Sequence, residues 1–143
     1  MNNNGQMTDV AAQFGAERLP VRDGLYRVGS PPRTVLWREE LEIGEPFELD
    51  GSEMDTVIDI FCEAALPDGY LVCGEGSWGS EGFFARLATD RSLIWVVYLE
   101  HGNPFISIDV MGRTATITNN LDRTVTIDLD NPNFTSLPRG SES

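Results

Sequence analysis

The sequence predicts a mainly β domain, an antiparallel meander forming a sandwich or a partly closed barrel, with a short N-terminal helix. Two patterns carry that expectation. Thr114 to Thr118 and Thr124 to Leu129 alternate cleanly. Ala115, Ile117, Val125, Ile127 and Leu129 point one way and Thr114, Thr116, Thr118, Thr124 and Thr126 the other, as a sheet with one solvated face requires. Leu93 to Leu99 is apolar on both sides of a strand, which marks a central strand covered on both faces. The chain of 143 residues fits one domain, and folding at that size buries roughly 68–70% of the unfolded surface.

Residues 1–7 are polar and read as a disordered lead, residues 8–137 as a single globular domain and residues 138–143 as a flexible tail. Thr8 or Asp9 is placed to cap a short helix through Arg18, weakened by Gly15. From Tyr26 the signals are mostly strand. Short β segments are expected at Thr34 to Arg38, Phe47 to Leu49, Tyr70 to Cys73, Phe83 to Leu87, Leu93 to Leu99, Phe105 to Val110, Thr114 to Thr118 and Thr124 to Leu129. Clusters of Gly, Pro, Asn and Asp separate them. Ser52 to Leu66 fits two periods. Met54, Val57, Ile58, Phe61 and Ala65 form a helical stripe after a Ser52-x-x-Asp55 capping pattern, whereas Ile58, Ile60, Cys62 and Ala64 alternate as in a strand. The β-branched residues and the following Pro67-Asp68-Gly69 turn favour strand. This stretch is a candidate for the second cover of Leu93 to Leu99, with the meander of the second half packed on the N-terminal half.

Cys62 and Cys73 flank that turn. A type I turn with Gly69 as a left-handed bulge residue pairs Leu66 with Tyr70, sets Cys73 opposite Glu63 and puts Cys62 on the other face. Two reduced thiols acting as small apolar residues are therefore expected, and no disulfide. Two cysteines and one distant histidine give no zinc spacing, so no metal and no cofactor are expected.

Charge is the strongest functional signal. Between Arg38 and Arg86 lie thirteen carboxylates and no basic residue, and this segment carries the whole net charge of −13. Elsewhere ten acids balance ten arginines, and lysine is absent. A field of one sign repels nucleic acid and anionic membranes and speeds encounter with a cationic partner. The longest apolar run, Leu93 to Leu99, is far short of a membrane span, and MNNNGQ lacks the features of a signal peptide, so a cytoplasmic location is expected.

The loop Gly74-Glu75-Gly76-Ser77-Trp78-Gly79-Ser80-Glu81-Gly82 contains a literal G-x-G-x-x-G. A dinucleotide site needs a helix after the third glycine, whereas Phe83 to Leu87 continues as strand. A kinase glycine loop needs a phosphate-pairing lysine, and the chain has none. Two readings remain: a connection whose positive φ angles only glycine tolerates, with Trp78 folded on the sheet edge, or a recognition loop with Trp78 as aromatic anchor and Glu75 and Glu81 as charged rim. His101, the only histidine, sits in an expected turn with no nucleophile beside it. Asp128, Asp130, Asn131 and Asn133 lack the glycine and distal glutamate of a calcium loop.

Two resemblances add to this. Ala65 to Val72, followed by Gly82 to Leu87 and Leu93-Ile94-Trp95, resembles one blade of a repeat β-propeller; length excludes a propeller, and only the local strand-turn-strand geometry is retained. Gly76-Ser77-Trp78-Gly79-Ser80-Glu81-Gly82-Phe83 before an apolar strand, then Asn103-Pro104-Phe105, in a small acidic chain resembles immunity proteins of bacterial polymorphic toxin systems. That resemblance implies a protein that binds one cognate toxin and blocks its active site, the acidic surface meeting a basic cleft.

The sequence thus points to an acidic, non-enzymatic binding protein of the immunity type, directed at a basic protein partner such as a nuclease toxin. The expected partner-binding residues are Glu39, Glu40, Glu42, Glu45, Glu48, Asp50, Glu53 and Asp55, with Glu75, Trp78 and Glu81 in the glycine-rich loop. A carboxylate-dependent hydrolase using Glu75 and Glu81 as acid and base, and a phage-type mimic of DNA charge, are the alternatives.

Overall fold

The structure is a computed structural model that describes residues 9–130; the expected lead and flexible tail lie outside them. One helix, α1 (Val10–Gly15), precedes twelve strands: β1 (Arg18–Pro20), β2 (Gly24–Arg27), β3 (Arg33–Trp37), β4 (Leu41–Pro46), β5 (Asp55–Val57), β6 (Asp59–Leu66), β7 (Gly69–Glu75), β8 (Gly82–Leu87), β9 (Leu93–Leu99), β10 (Phe105–Met111), β11 (Thr114–Asn119) and β12 (Thr124–Asp128). The fold is mainly β and antiparallel, in keeping with a sandwich, and the sheets do not close into a barrel.

A seven-stranded sheet in the order β4-β3-β2-β9-β8-β7-β6 forms the centre. A three-stranded meander, β10-β11-β12, packs on its front. The front core joins Leu71, Phe84, Trp95, Val97 and Leu99 to Phe105, Ala115, Ile117, Val125, Ile127 and Leu129. The alternation of β11 and β12 is thus explained by one face buried on the front core. The β10–β12 meander packs on residues of the N-terminal half, Leu25, Val35, Trp37 and Leu41 among them, but the layers do not divide at mid-chain: β2, β3 and β4 share a sheet with β8 and β9, because β2 pairs antiparallel with β9 and continues its ladder.

The back of the large sheet carries a second core of Leu19, Tyr26, Ile58, Val72, Phe83, Ala85, Val96 and Tyr98. Ser52 to Leu66, the candidate for its cover, supplies part of it through Ile58 and through β5, which pairs with β1. The rest of the cover is α1 and β1, with Val10, Phe14, Leu19 and Val21, joined by Phe47 and Leu49. Phe14 meets Phe83 edge-on, ring centroids 6.2 Å apart. Ser52 to Leu66 is strand, not helix; β5 pairs with β1, and β6 forms the outer edge of the large sheet. Phe47 to Leu49 is not a strand but part of the connection that drops Phe47 and Leu49 into the back core, while β4 lies just before it.

β9 is covered on both faces, as expected, except that Ile94 is exposed and Leu93 joins the back core. A register shift at Arg86/Leu87 accounts for the switch of Leu93. α1 is capped by Asp9, whose carboxylate accepts from the Ala12 amide at 3.1 Å. It stops at Gly15, not Arg18, because Glu17 turns to φ +64° and the chain leaves as β1.

The hairpin after β6 corrects the predicted register. Leu66 pairs with Gly69, Ala65 with Tyr70, Glu63 with Val72 and Cys62 with Cys73. The connection holds only Pro67 and Asp68, and Gly69 re-enters the ladder at φ +149° instead of serving as a left-handed bulge. A one-residue shift moves a side chain to the opposite face, so Cys62 and Cys73 share a face.

Candidate partner-binding surface

The glycine-rich loop is held by a buried polar network. Glu81, 1% exposed, accepts at Oε1 from the Trp78 amide (3.1 Å) and the Thr56 hydroxyl (3.2 Å). Its Oε2 accepts from the Tyr98 hydroxyl. Thr56 in turn accepts from the Ser77 amide at 3.0 Å and lies 2.8 Å from the Ser77 hydroxyl. Every polar group of the network therefore has a partner, the condition under which burial of a carboxylate is tolerated. Burial, reinforced by the bond to Glu81, pushes the Tyr98 phenol well above its ordinary pKa.

This arrangement removes Glu81 from the expected charged rim. It faces inward because Gly76 leaves room for it: a Cβ at Gly76 would lie 2.0 Å from Glu81 Oε1. Backbone conformation is the reason for glycine at Gly79, at φ +94°, but at Gly76 close approach is. Glu75 is half-buried at the end of β7, opposite both Asp59 and Gly82. Trp78 does not fold onto the sheet edge; it is 59% exposed at the loop tip.

Strand direction gathers several loops at one end of the sandwich. Glu75, Gly82 and Leu99 lie in register, and Gly24 lies opposite Tyr98. β2 runs away from that end and β3 returns, which brings the β3–β4 turn with Glu39 and Glu40 to the end that carries Trp78. Bonds between the loops include Asn103 donating to the Ser80 carbonyl at 2.8 Å, Asn119 Nδ2 donating to the Gly102 carbonyl at 2.7 Å and Asn120 donating to the Pro104 carbonyl at 2.9 Å. Arg123 stacks on Trp37 at 3.8 Å and donates to the Arg38 carbonyl, fixing the β3–β4 turn to the front sheet.

The remaining expected acids divide into two groups. Glu42 pairs with Arg38 (2.8 Å), Glu53 with Arg22 (3.3 Å) and Asp55 with Arg18 (3.9 Å), so their charge is offset within the chain. Glu63 and Asp68, also in the acidic segment, pair with Arg91 and Arg86 at 2.8 Å. Among the described residues, Glu39, Glu40, Glu45, Glu48 and Asp50 are exposed and form no ion pair. Asp50 accepts from the hydroxyl and amide of Ser52, which holds its carboxyl below the usual range.

The segment after β4 crosses the back of the molecule from one edge of the sheet toward the other. Phe47 and Leu49 turn inward there, and Glu48 and Asp50 between and after them turn outward. The carboxylates therefore form a band that begins at the Glu39–Glu40 turn and continues over the back layer, rather than one flat face. A shallow open concavity at its start is bounded by Arg38, Glu39, Glu40 and Glu42. A second, of about 300 Å³, lies between Asp9–Ala11 and the segment 26–32. Neither is lined by Glu75 or Glu81.

Among the described residues no group of three or more His, Cys, Asp or Glu side chains is placed to hold a metal ion, and no helix is long and apolar enough to cross a membrane. Sequence reasoning missed Thr56 and Tyr98 as partners of Glu81, and Ser77 as the partner of Thr56; no local pattern links Thr56 or Tyr98 to the loop. No protein-family model matches the chain, and neither a curated protein nor a solved structure shows a match.

Proposed function

We propose that this is an acidic, non-enzymatic binding protein that inhibits a basic protein partner, of the immunity type that blocks a nuclease toxin. The observation that carries this reading is that Glu39, Glu40, Glu45 and Glu48 are exposed and form no ion pair among the described residues. Their charge is free to act outward, whereas Glu42, Glu53 and Asp55 spend theirs on arginines of the same chain. Exposed Trp78, at the same end of the sheet as Glu39 and Glu40, supplies an aromatic anchor in addition to the charge. Such a combination suits fast, steered encounter followed by a fixed dock.

The alternative of a hydrolase using Glu75 and Glu81 draws less support, because both oxygens of Glu81 are taken by donors of the chain itself. Capture from host lysate at low salt tests the proposal, with wild type and the Glu39, Glu40, Glu45, Glu48→Gln variant as parallel baits. A basic enzyme held by wild type, released by salt, lost by the variant and inhibited on binding is the expected result. A retained partner that ignores the four substitutions, or that keeps full activity in the complex, overturns it.

A further inference from the structure

Cys62 and Cys73 are direct partners across the β6–β7 ladder. Residues directly opposed in an antiparallel pair have Cα atoms about 4.5 or 5.5 Å apart, according to the kind of pair. Both spacings fall within the roughly 4.4–6.8 Å that a disulfide spans. The two thiols are free, and both pack on the front core. They differ in access. Cys73 is fully buried and donates to the Phe105 carbonyl at 3.4 Å, whereas Cys62 is half-buried on β6, the edge strand of the large sheet among the described residues.

We propose that Cys62 and Cys73 are a modification site at which a low-molecular-weight disulfide of the glutathione class installs a cross-strand disulfide. The accessible Cys62 attacks first, as thiolate. Its sulfur bonds to one sulfur of the small disulfide, the other departs as a thiolate, and a mixed disulfide remains on Cys62. Cys73 then loses its proton to solvent and attacks the Cys62 sulfur, expelling the second small thiol. Two protein thiols are oxidised and one small disulfide is reduced to two thiols. The product fastens the edge strand β6 to β7.

Burial, with Cys62 beside it, pushes the Cys73 thiol up to about 12. The second step is therefore slow at neutral pH, and its rate rises about tenfold per pH unit from 7 toward 10 as the thiolate fraction grows.

The full chain is incubated with oxidised glutathione under native conditions and followed by intact mass and peptide mapping. The expected course is a transient glutathione adduct on Cys62, then loss of the mass of two hydrogens with a 62–73 cross-linked peptide. Cys73→Ser should stop at the stable adduct, and Cys62→Ser should resist reaction. Persistence of both thiols, a permanent adduct on the wild type, a disulfide-linked dimer, or a Cys62→Ser variant that reacts as fast as wild type would each overturn the proposal. Peptide mapping of the wild type keeps the test open if Cys73→Ser does not fold.

Discussion

The hydroxyl of Tyr98, in the central strand β9, donates to the carboxylate of Glu81, at the close of the glycine-rich loop. This bond connects the middle of the sheet to the loop that displays Trp78. The loop is therefore a shaped element, fixed from beneath by its own acid.

Removing the Tyr98 hydroxyl should loosen that element. Tyr98→Phe leaves one carboxylate oxygen of buried Glu81 without its donor, and such a loss costs about 1–3 kcal/mol. The urea midpoint should fall, with faster amide hydrogen exchange at Ser77 and Trp78. Unchanged exchange in the loop would show that Glu81 is not what holds it.

Two glycines should respond in opposite directions to alanine. At Gly76 the new Cβ meets Glu81 Oε1 at 2.0 Å, so the network must shift, at a cost of about 1–3 kcal/mol. At Gly15, the last residue of α1, a Cβ meets nothing within 4 Å, and Ala should stabilise by about 0.4–1 kcal/mol. Thermal denaturation of the two variants side by side checks both signs.

Alkaline pH should destabilise the fold earlier than its tyrosines alone would. Burial raises the folded pKa of Cys73 to about 12, and also raises those of Tyr26 and Tyr98. A raised folded value gives stability that is complete below the unfolded value and is lost as pH climbs through the folded one. The unfolded values are about 8.5 for a thiol and about 10 for a phenol. Between pH 8.5 and 10 the decline should come from Cys73, and Cys73→Ala should flatten urea midpoints over that interval. A wild-type midpoint constant up to pH 10 would contradict this.

Trp78 tests whether the displayed side chain serves a partner or the fold. Because it is 59% exposed, Trp78→Ala should change stability by no more than about 0.5 kcal/mol. Affinity for the proposed basic partner should fall by about 2 kcal/mol or more, the scale of an aromatic anchor. Loss of stability without loss of affinity would assign Trp78 to the fold.

The four exposed glutamates should act on rate. Converting Glu39, Glu40, Glu45 and Glu48 to Gln should slow association with the partner by about ten-fold or more at low salt and flatten its salt dependence. The dissociation rate and melting temperature should move little. Stopped-flow measurements over a range of ionic strength separate these effects, and equal association rates for the two proteins would remove the electrostatic argument.

Local pattern was enough to reveal the β class, the bounds of β9, the inward and outward faces of β11 and β12, and a cap of α1 at Thr8 or Asp9, of which the structure selects Asp9. Each follows from the period of side chains along one segment or from a side chain bonding a backbone group three residues on. Charge could be counted in the sequence but not balanced. Only folding brought Arg22 to Glu53, Arg18 to Asp55 and Arg91 to Glu63, and so separated the acids that are offset from those that are free. Composition marked Glu75, Trp78 and Glu81 as one charged loop, yet the space above Gly76 and the hydroxyls of Thr56 and Tyr98 turned Glu81 inward. The cysteine pairing depended on a single residue of register in the Pro67–Asp68 turn. Periodicity within a strand states which residues share a face of that strand; which strand lies beside it, in what register, and which charge meets which are long-range choices made by packing. For this protein the sequence by itself determined the kind of sheet and the sign of its field, and the tertiary structure decided where that field is left exposed.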